Sequence, residues 1–187
     1  MADSSHRLPV RMAAVAWLWG LAEATLFFIV PDVLLSVLAL RRPWAQVWRA
    51  CLWALAGALL GGVLMYVWAA RAESSALAML QQIPAISAAM CDAVARQLHE
   101  QGALALFIGP LTGTPYKIYA AQSGAQGASL LVFLAISVPA RLLRFLIVAG
   151  LVRLLCERLP GLSLRWRVAV WALAWGGFYA WYFWEFS

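Results

Sequence analysis

The sequence predicts an all-α integral membrane protein, and three observations carry that prediction. Mean hydropathy is +0.81 with only 12% charged residues, against about 25% in soluble domains. Long apolar runs, of the roughly 20 residues that a membrane crossing needs, alternate with short basic stretches such as the one holding Arg41, Arg42 and Arg49. The chain also holds eleven tryptophans, and indole rings favour the headgroup region. Trp44, Trp48 and Trp166 stand near basic clusters, and Trp181 and Trp184 near the C-terminus, as two interfacial belts require. The 187 residues leave room for one polytopic domain, residues 1–187, and for no separate soluble domain. The expected architecture is two re-entrant helical hairpins, about three transmembrane helices and one amphipathic surface helix, arranged like an inverted repeat.

Residues 12–40 are apolar except for Glu23, Asp32 and small polar groups. A straight helix of that length would run about 44 Å, beyond a hydrocarbon core of about 30 Å. Pro31 offers a break, so the segment either spans and bends or enters, breaks and returns. Residues 50–70 read as a full span whose Gly57, Gly61 and Gly62 form a small-residue face for close helix packing. Over 74–101, Leu77, Leu80, Ile86, Met90, Val94 and Leu98 recur at helical spacing among polar residues. That pattern predicts an amphipathic helix, bent at Pro84, that covers the bundle and carries no catalytic cluster.

Residues 103–124 contain the stretch "GPLTGTPYKIYAA". The apolar runs on either side of Pro110 and Pro115 are each too short to cross a bilayer, so two half-helices meeting at a Gly/Pro turn are expected. Non-helical backbone at membrane depth is tolerated only where protein buries it or a wet cavity meets it. Residues 128–152, with Pro139, Arg141 and Arg144, and residues 168–184, rich in aromatic residues, read as the remaining spans.

Charge sets the orientation. The N-terminal "MADSSHRLPVRM" lacks an A-x-A-like cleavage site and reads as a cytoplasmic tail. If both broken segments return, the inner side holds Arg7, Arg11, Arg41, Arg42, Arg49, Arg153, Arg158, Arg165 and Arg167, and the outer side Arg71 and Arg96. If both cross, Arg41, Arg42 and Arg49 move outside while Arg71 and Arg96 move inside. The hairpin arrangement obeys the positive-inside rule slightly better. Topology thus accounts for the net charge of +6 without a nucleic-acid partner. Cys51, Cys91 and Cys156 are isolated and read as small hydrophobes rather than a disulfide. With only His6 and His99 in the chain, no histidine metal site is expected, and no cofactor is implied.

Five ionisable residues fall inside apolar segments: Glu23, Asp32, Lys117, Arg141 and Arg144. Each costs about 2.5–3.5 kcal/mol at a helix centre, so such residues face a cavity or one another. A structural ion pair of Glu23 with an arginine, Asp32 as a helix cap and Arg144 as a snorkelling side chain are the plain readings. Taken together, the cations exceed the carboxylates by one. Arg141 and Arg144, three apart, share a helix face. A buried surplus of positive charge wants an anion, and arginine suits phosphate. Lys117, Arg141, Arg144, Gly113 and Thr114 are therefore the candidate substrate-binding residues. Glu23 and Asp32 are the candidate counter-ion or proton-carrying groups, and Pro31, Pro110 and Pro115 the hairpin turns. Paired histidines, a G-x-S-x-G elbow and a nucleotide-binding loop are all absent from the sequence, so no enzyme is expected.

The stretches "EATLFFIVPDVLLSVLAL" and "ALFIGPLTGTPYKIYAAQSG" resemble the two re-entrant segments of the DedA family, also called VTT or SNARE-associated membrane proteins. Glu23, Pro31 and Asp32 follow the order of that family's first hairpin; Gly109, Pro110, Gly113, Pro115, Lys117 and Gly124 resemble its second. The resemblance runs from Glu23 to about Gly150. It departs where the family's second hairpin bears two arginines and this chain has Lys117 alone, with Arg141 and Arg144 on the following span. The resemblance implies a flippase or scramblase of the bacterial inner membrane. Its substrate would be an anionic lipid, undecaprenyl phosphate or a phospholipid, and a proton the candidate coupling ion. A small-ion or solute transporter on the same scaffold and a structural assembly factor are the competing readings, and a homo-oligomer is left open.

Overall fold

Proline punctuates the helices of this chain. In the computed structural model, which describes residues 8–158 and 161–186, Pro9, Pro31, Pro43 and Pro115 each stand immediately before a helix, where a missing N–H costs nothing. The helices are α1 (Val10–Glu23), α2 (Asp32–Arg41), α3 (Trp44–Arg71), α4 (Glu73–Leu80), α5 (Ala88–Gln101), α6 (Ala103–Ile108), α7 (Tyr116–Ala125), α8 (Leu130–Arg158) and α9 (Leu164–Phe186), with a 3₁₀ turn at Gly109–Leu111. The described residues form helices joined by turns and irregular stretches, with no strand among them. The N-terminal tail reading, with His6 and Arg7, lies outside the described residues.

Helices α3 and α8 are long and apolar enough to cross a membrane. Helix α9 occupies the third expected span, but its Trp and Tyr residues and its Arg165, Arg167 and Glu185 make it less apolar. One expectation needs correction. The single bent helix over 74–101 is two helices, α4 and α5, separated by a turn at residues 81–87. Pro84 cannot donate to a helical ladder, and Ala85 takes a left-handed φ of 64°, so the chain reverses there instead of bending. The break in the first segment is likewise longer than Pro31 alone implies: α1 stops at Glu23 and α2 starts at Asp32.

Helix α7 lies at the centre. Every residue from Tyr116 to Gly124 is buried, the signature of a helix enclosed on all sides. Its polar side chains tie it to α5: Tyr119 Oη donates to Gln97 Oε1 at 2.6 Å, Gln122 Nε2 to the Cys91 carbonyl at 3.3 Å and Gln126 Nε2 to the Ala95 carbonyl at 3.1 Å. Burial pushes the Cys91 thiol up, with the neighbouring Asp92 charge adding to it, as befits a structural cysteine.

The two halves pack as an exchange. Helix α1 packs on α3 and α6 on α8; α2 packs on α8 and α7 on α3. Swapping the halves therefore maps each contact onto another. Glycines set the depth of these crossings. A Cβ on Gly57 would overlap the Trp17 carbonyl, and one on Gly124 the Tyr66 carbonyl, so α1 and α7 each lie backbone-to-backbone against α3. Helix α1 runs alongside α3 in the same direction, with Gly20 against Ala54 and Ala58, and Ala24 against Gly61. Ala24 thus lies well along α3, yet the chain is back at the start of α3 by Trp44. In the second segment Gly102 and Ala103, before the break, line one pocket with Gln126 and Ala128, after it.

Candidate functional site: a charged cluster between two helix breaks

Gly61 and Gly62 stand near the middle of α3 and receive the tips of both broken segments. Gly61 faces Ala24, and Gly62 faces the Tyr116 ring. Any side chain on Gly62 would displace that ring, so the glycine pair brings the 24–31 break and the 109–115 break to one level. At this level all five interior ionisable residues converge.

The pairing is specific. Glu23, 3% exposed, closes α1, and both of its oxygens accept from the guanidinium of Arg141, itself 1% exposed. Arg141 is further enclosed by the Tyr116 and Phe145 rings, 4.7 and 5.0 Å from its Cζ, a favourable cation–π setting. Asp32 opens α2, and its Oδ2 accepts from Arg144 Nε at 3.1 Å. Arg144 also donates through Nη1 to the Pro110 carbonyl, so one side chain joins the first break's carboxylate to the second break's backbone. Lys117 reaches the other way. Its Nζ donates to the Phe27 carbonyl at 2.5 Å, and it has no carboxylate ion-pair partner among the described residues. The surplus positive charge of the cluster is therefore carried by Lys117. Asp32 Oδ1 is buried without a hydrogen-bond partner.

The irregular backbone of the first break is satisfied by side chains from three other elements. Besides Lys117 on Phe27, Trp19 Nε1 donates to the Ile29 carbonyl at 2.9 Å and the Val30 amide donates to Tyr179 Oη at 3.0 Å. In the second break the Gly109 carbonyl accepts from the Thr112 amide at 3.1 Å, the Thr112 hydroxyl at 2.9 Å and the Thr114 amide at 3.3 Å. Gly113, at φ 106°, supplies the left-handed residue that this turn needs.

A cavity of about 50 Å³ lies between the breaks, lined by Glu23, Gly113, Lys117 and Arg144 among others. It adjoins an open groove of about 550 Å³ that includes Asp32, Gly113, Arg144 and Phe178. Of the residues singled out from the sequence, Glu23, Asp32, Gly113, Pro115, Lys117 and Arg144 line this space. Pro31 and Pro110 are buried beneath it, Arg141 is sealed behind Tyr116, and Thr114 is half-buried in the turn, outside the lining. Sequence reasoning missed Phe178, Tyr179 and Tyr182 of α9 and Ile83, Pro84 and Ile86 of the 81–87 turn, which wall the cavity. The tyrosine hydroxyls inside an apolar run were the available signal, since buried tyrosines seek a partner.

No family model matches the chain, and no solved structure matches it. A Haemophilus influenzae protein described as uncharacterized is 30% identical over 150 residues, covering 79% of this chain and 74% of that protein. The chain belongs to the family of that protein.

Proposed function

We propose that this protein moves an anionic lipid head group across a membrane, as a flippase or scramblase of the DedA type, and performs no covalent chemistry. The observation that carries the proposal is the meeting of two helix breaks at mid-length of a membrane-length helix, with one ammonium in excess of the carboxylates. Interior charges at such a depth mark a substrate or ion pathway by default, and paired broken helices are where transporters bind. Lys117 and Arg144 face the cavity and would hold the phosphate. Arg141, locked on Glu23, would position the first break, and Asp32 would serve as the counter-ion of Arg144.

The topology that fits is two re-entrant hairpins. Segments 10–41 and 103–125 return to the ends from which they start. Arg153 Nη1 donates to the Arg42 carbonyl at 3.2 Å, so the basic residues after α2 and those ending α8 lie at one end, which supports the hairpin arrangement over full crossings. By the positive-inside rule that end would face the cytoplasm of a bacterial inner membrane, with the N-terminus on the same side. Exposed apolar side chains cover α8 and α9, among them Leu131, Leu151 and Leu173, which suits a lipid-facing surface.

The test is reconstitution in liposomes with a fluorescent anionic phospholipid. Lys117→Ala should lower translocation at least tenfold, while Arg153→Ala, which removes an exposed pair with Glu157, should leave it unchanged. Wild-type rates from Lys117→Ala, or protein-free rates from the native chain, would overturn the proposal.

A further inference from the structure

We infer that the hydrocarbon chain of the transported lipid lies in a slot between α8 and α9, its anionic head at Arg144. The inference rests on the lipid-transport reading above and adds the route and the leaflet.

Helix α9 is fastened to α2. The indole N–H groups of Trp171 and Trp175 both donate to Ser36 Oγ, at 2.8 and 3.1 Å, and Ser36 Oγ donates to the Val33 carbonyl at 3.0 Å. With Tyr179 on Val30, α9 is held at three places along one side. Beside this contact, with Trp171 and Trp175 in the lining and Leu40 of α2 at the edge, α9 faces α8 across open space. The 550 Å³ groove at Arg144 continues, through the shared residues Ala174 and Trp175, into a third cavity of about 320 Å³. There Val152, Leu155 and Cys156 of α8 face Val170 of α9, and the lining is almost wholly apolar. Arg167 stands in the same lining and donates through Nε to the Leu162 carbonyl at 2.9 Å. Through Gly113, Arg144 and Phe178 the groove also joins the charged cavity holding Lys117. Polarity therefore falls from Lys117 and Arg144 at one end to a lining that is apolar apart from Arg167 at the other.

Length agrees with this use. From Arg144, the midpoint of α8, to Cys156 the helix rises about 18 Å, close to the roughly 15 Å that one leaflet contributes to a core of about 30 Å. The slot is thus long enough for one extended hydrocarbon chain whose head has left the interface for Arg144 and whose tail points toward the Arg153 and Arg158 side. A soluble anion needs the cationic end and gains nothing from the apolar one. A head group outgrows the 50 Å³ cavity alone, so it would sit in the wider groove at Arg144 with its phosphate turned toward Lys117 through the opening that the two spaces share at Gly113 and Arg144.

Cys156 reports on the slot directly, since it is partly exposed whereas Cys51 and Cys91 are buried. The native chain in phosphatidylcholine nanodiscs is treated with a maleimide while dodecyl phosphate is added. Modification of Cys156 should slow at least tenfold with dodecyl phosphate and less than twofold with inorganic phosphate or dodecanol, and Arg144→Ala should abolish the protection. In liposomes, Ala174→Phe should lower lipid translocation at least tenfold by narrowing the slot. An unchanged Cys156 rate with dodecyl phosphate, or equal protection by dodecanol, would overturn the inference. Those results beside normal Lys117-dependent translocation would remove the slot and leave the transport reading standing. Loss of the Lys117 dependence would remove the reading itself.

Discussion

The two helix breaks meet at one level but are held in opposite ways. The 24–31 break borrows its hydrogen bonds: Lys117, Trp19 and Tyr179 come from α7, α1 and α9 to meet Phe27, Ile29 and Val30. The 109–115 break closes its own turn, with Thr112 and Thr114 bonded to the Gly109 carbonyl, while Arg144 reaches in to the Pro110 carbonyl and Tyr119 to Thr114. Carboxylates flank the first break, whereas the second carries a lysine and no acid. The difference teaches that an unwound stretch at membrane depth can be stabilised by its own turn chemistry or by its neighbours. Only the second solution makes the shape of the break depend on distant helices.

The largest effect should come from the pair that anchors the first break. Arg141→Ala leaves Glu23 buried without a counter-charge, and breaking such a pair by removing one partner costs about 3–5 kcal/mol. Thermal unfolding in detergent should show that loss, and the double variant Glu23→Gln/Arg141→Met should recover most of it. A single variant as stable as the native chain would mean that the pair is not what holds the first break. Next comes Tyr179→Phe, which removes the acceptor of the Val30 amide. The cost should be about 1–3 kcal/mol, with faster amide exchange around Val30 and no change near Gly109; equal exchange at both breaks would erase the contrast. The smallest effect belongs to Thr112→Val. Gly109 keeps its two amide donors, so the change should stay within about 0.5 kcal/mol. A loss as large as that of Tyr179→Phe would show that the second turn is no more self-sufficient than the first.

Much of this architecture was legible in the sequence for physical reasons. Charges in apolar runs are expensive, so Glu23, Asp32, Lys117, Arg141 and Arg144 had to find one another. Gly57, Gly61 and Gly62 announced a close helix contact, and the prolines announced the breaks. The pairing itself was not legible: Glu23 and Arg141 are 118 residues apart, and nothing local decides between Arg141 and Arg144. The inward role of two α9 tryptophans was not legible, because tryptophan serves a membrane interface and an internal hydrogen bond equally well. Trp166, Trp181 and Trp184 are exposed as a belt requires, while Trp171 and Trp175 turn inward to Ser36. At 81–87 a bend at Pro84 was expected, but the full reversal was not legible because it depends on Ala85 taking a left-handed conformation, which the sequence does not favour.

The adjacent glycines of α3 have a consequence for how this chain can vary. Neighbouring residues on an α-helix point about 100° apart and differ by about 1.5 Å in height. Since Gly61 supports one tip and Gly62 the other, helix geometry alone fixes the angle at which the two halves of the molecule converge. A residue inserted or deleted between them would swing one half by about 100° around α3 and pull the carboxylates away from their arginines. Length changes are therefore affordable in the connections outside the helices and not at this point, where a single peptide bond sets the alignment of the whole protein.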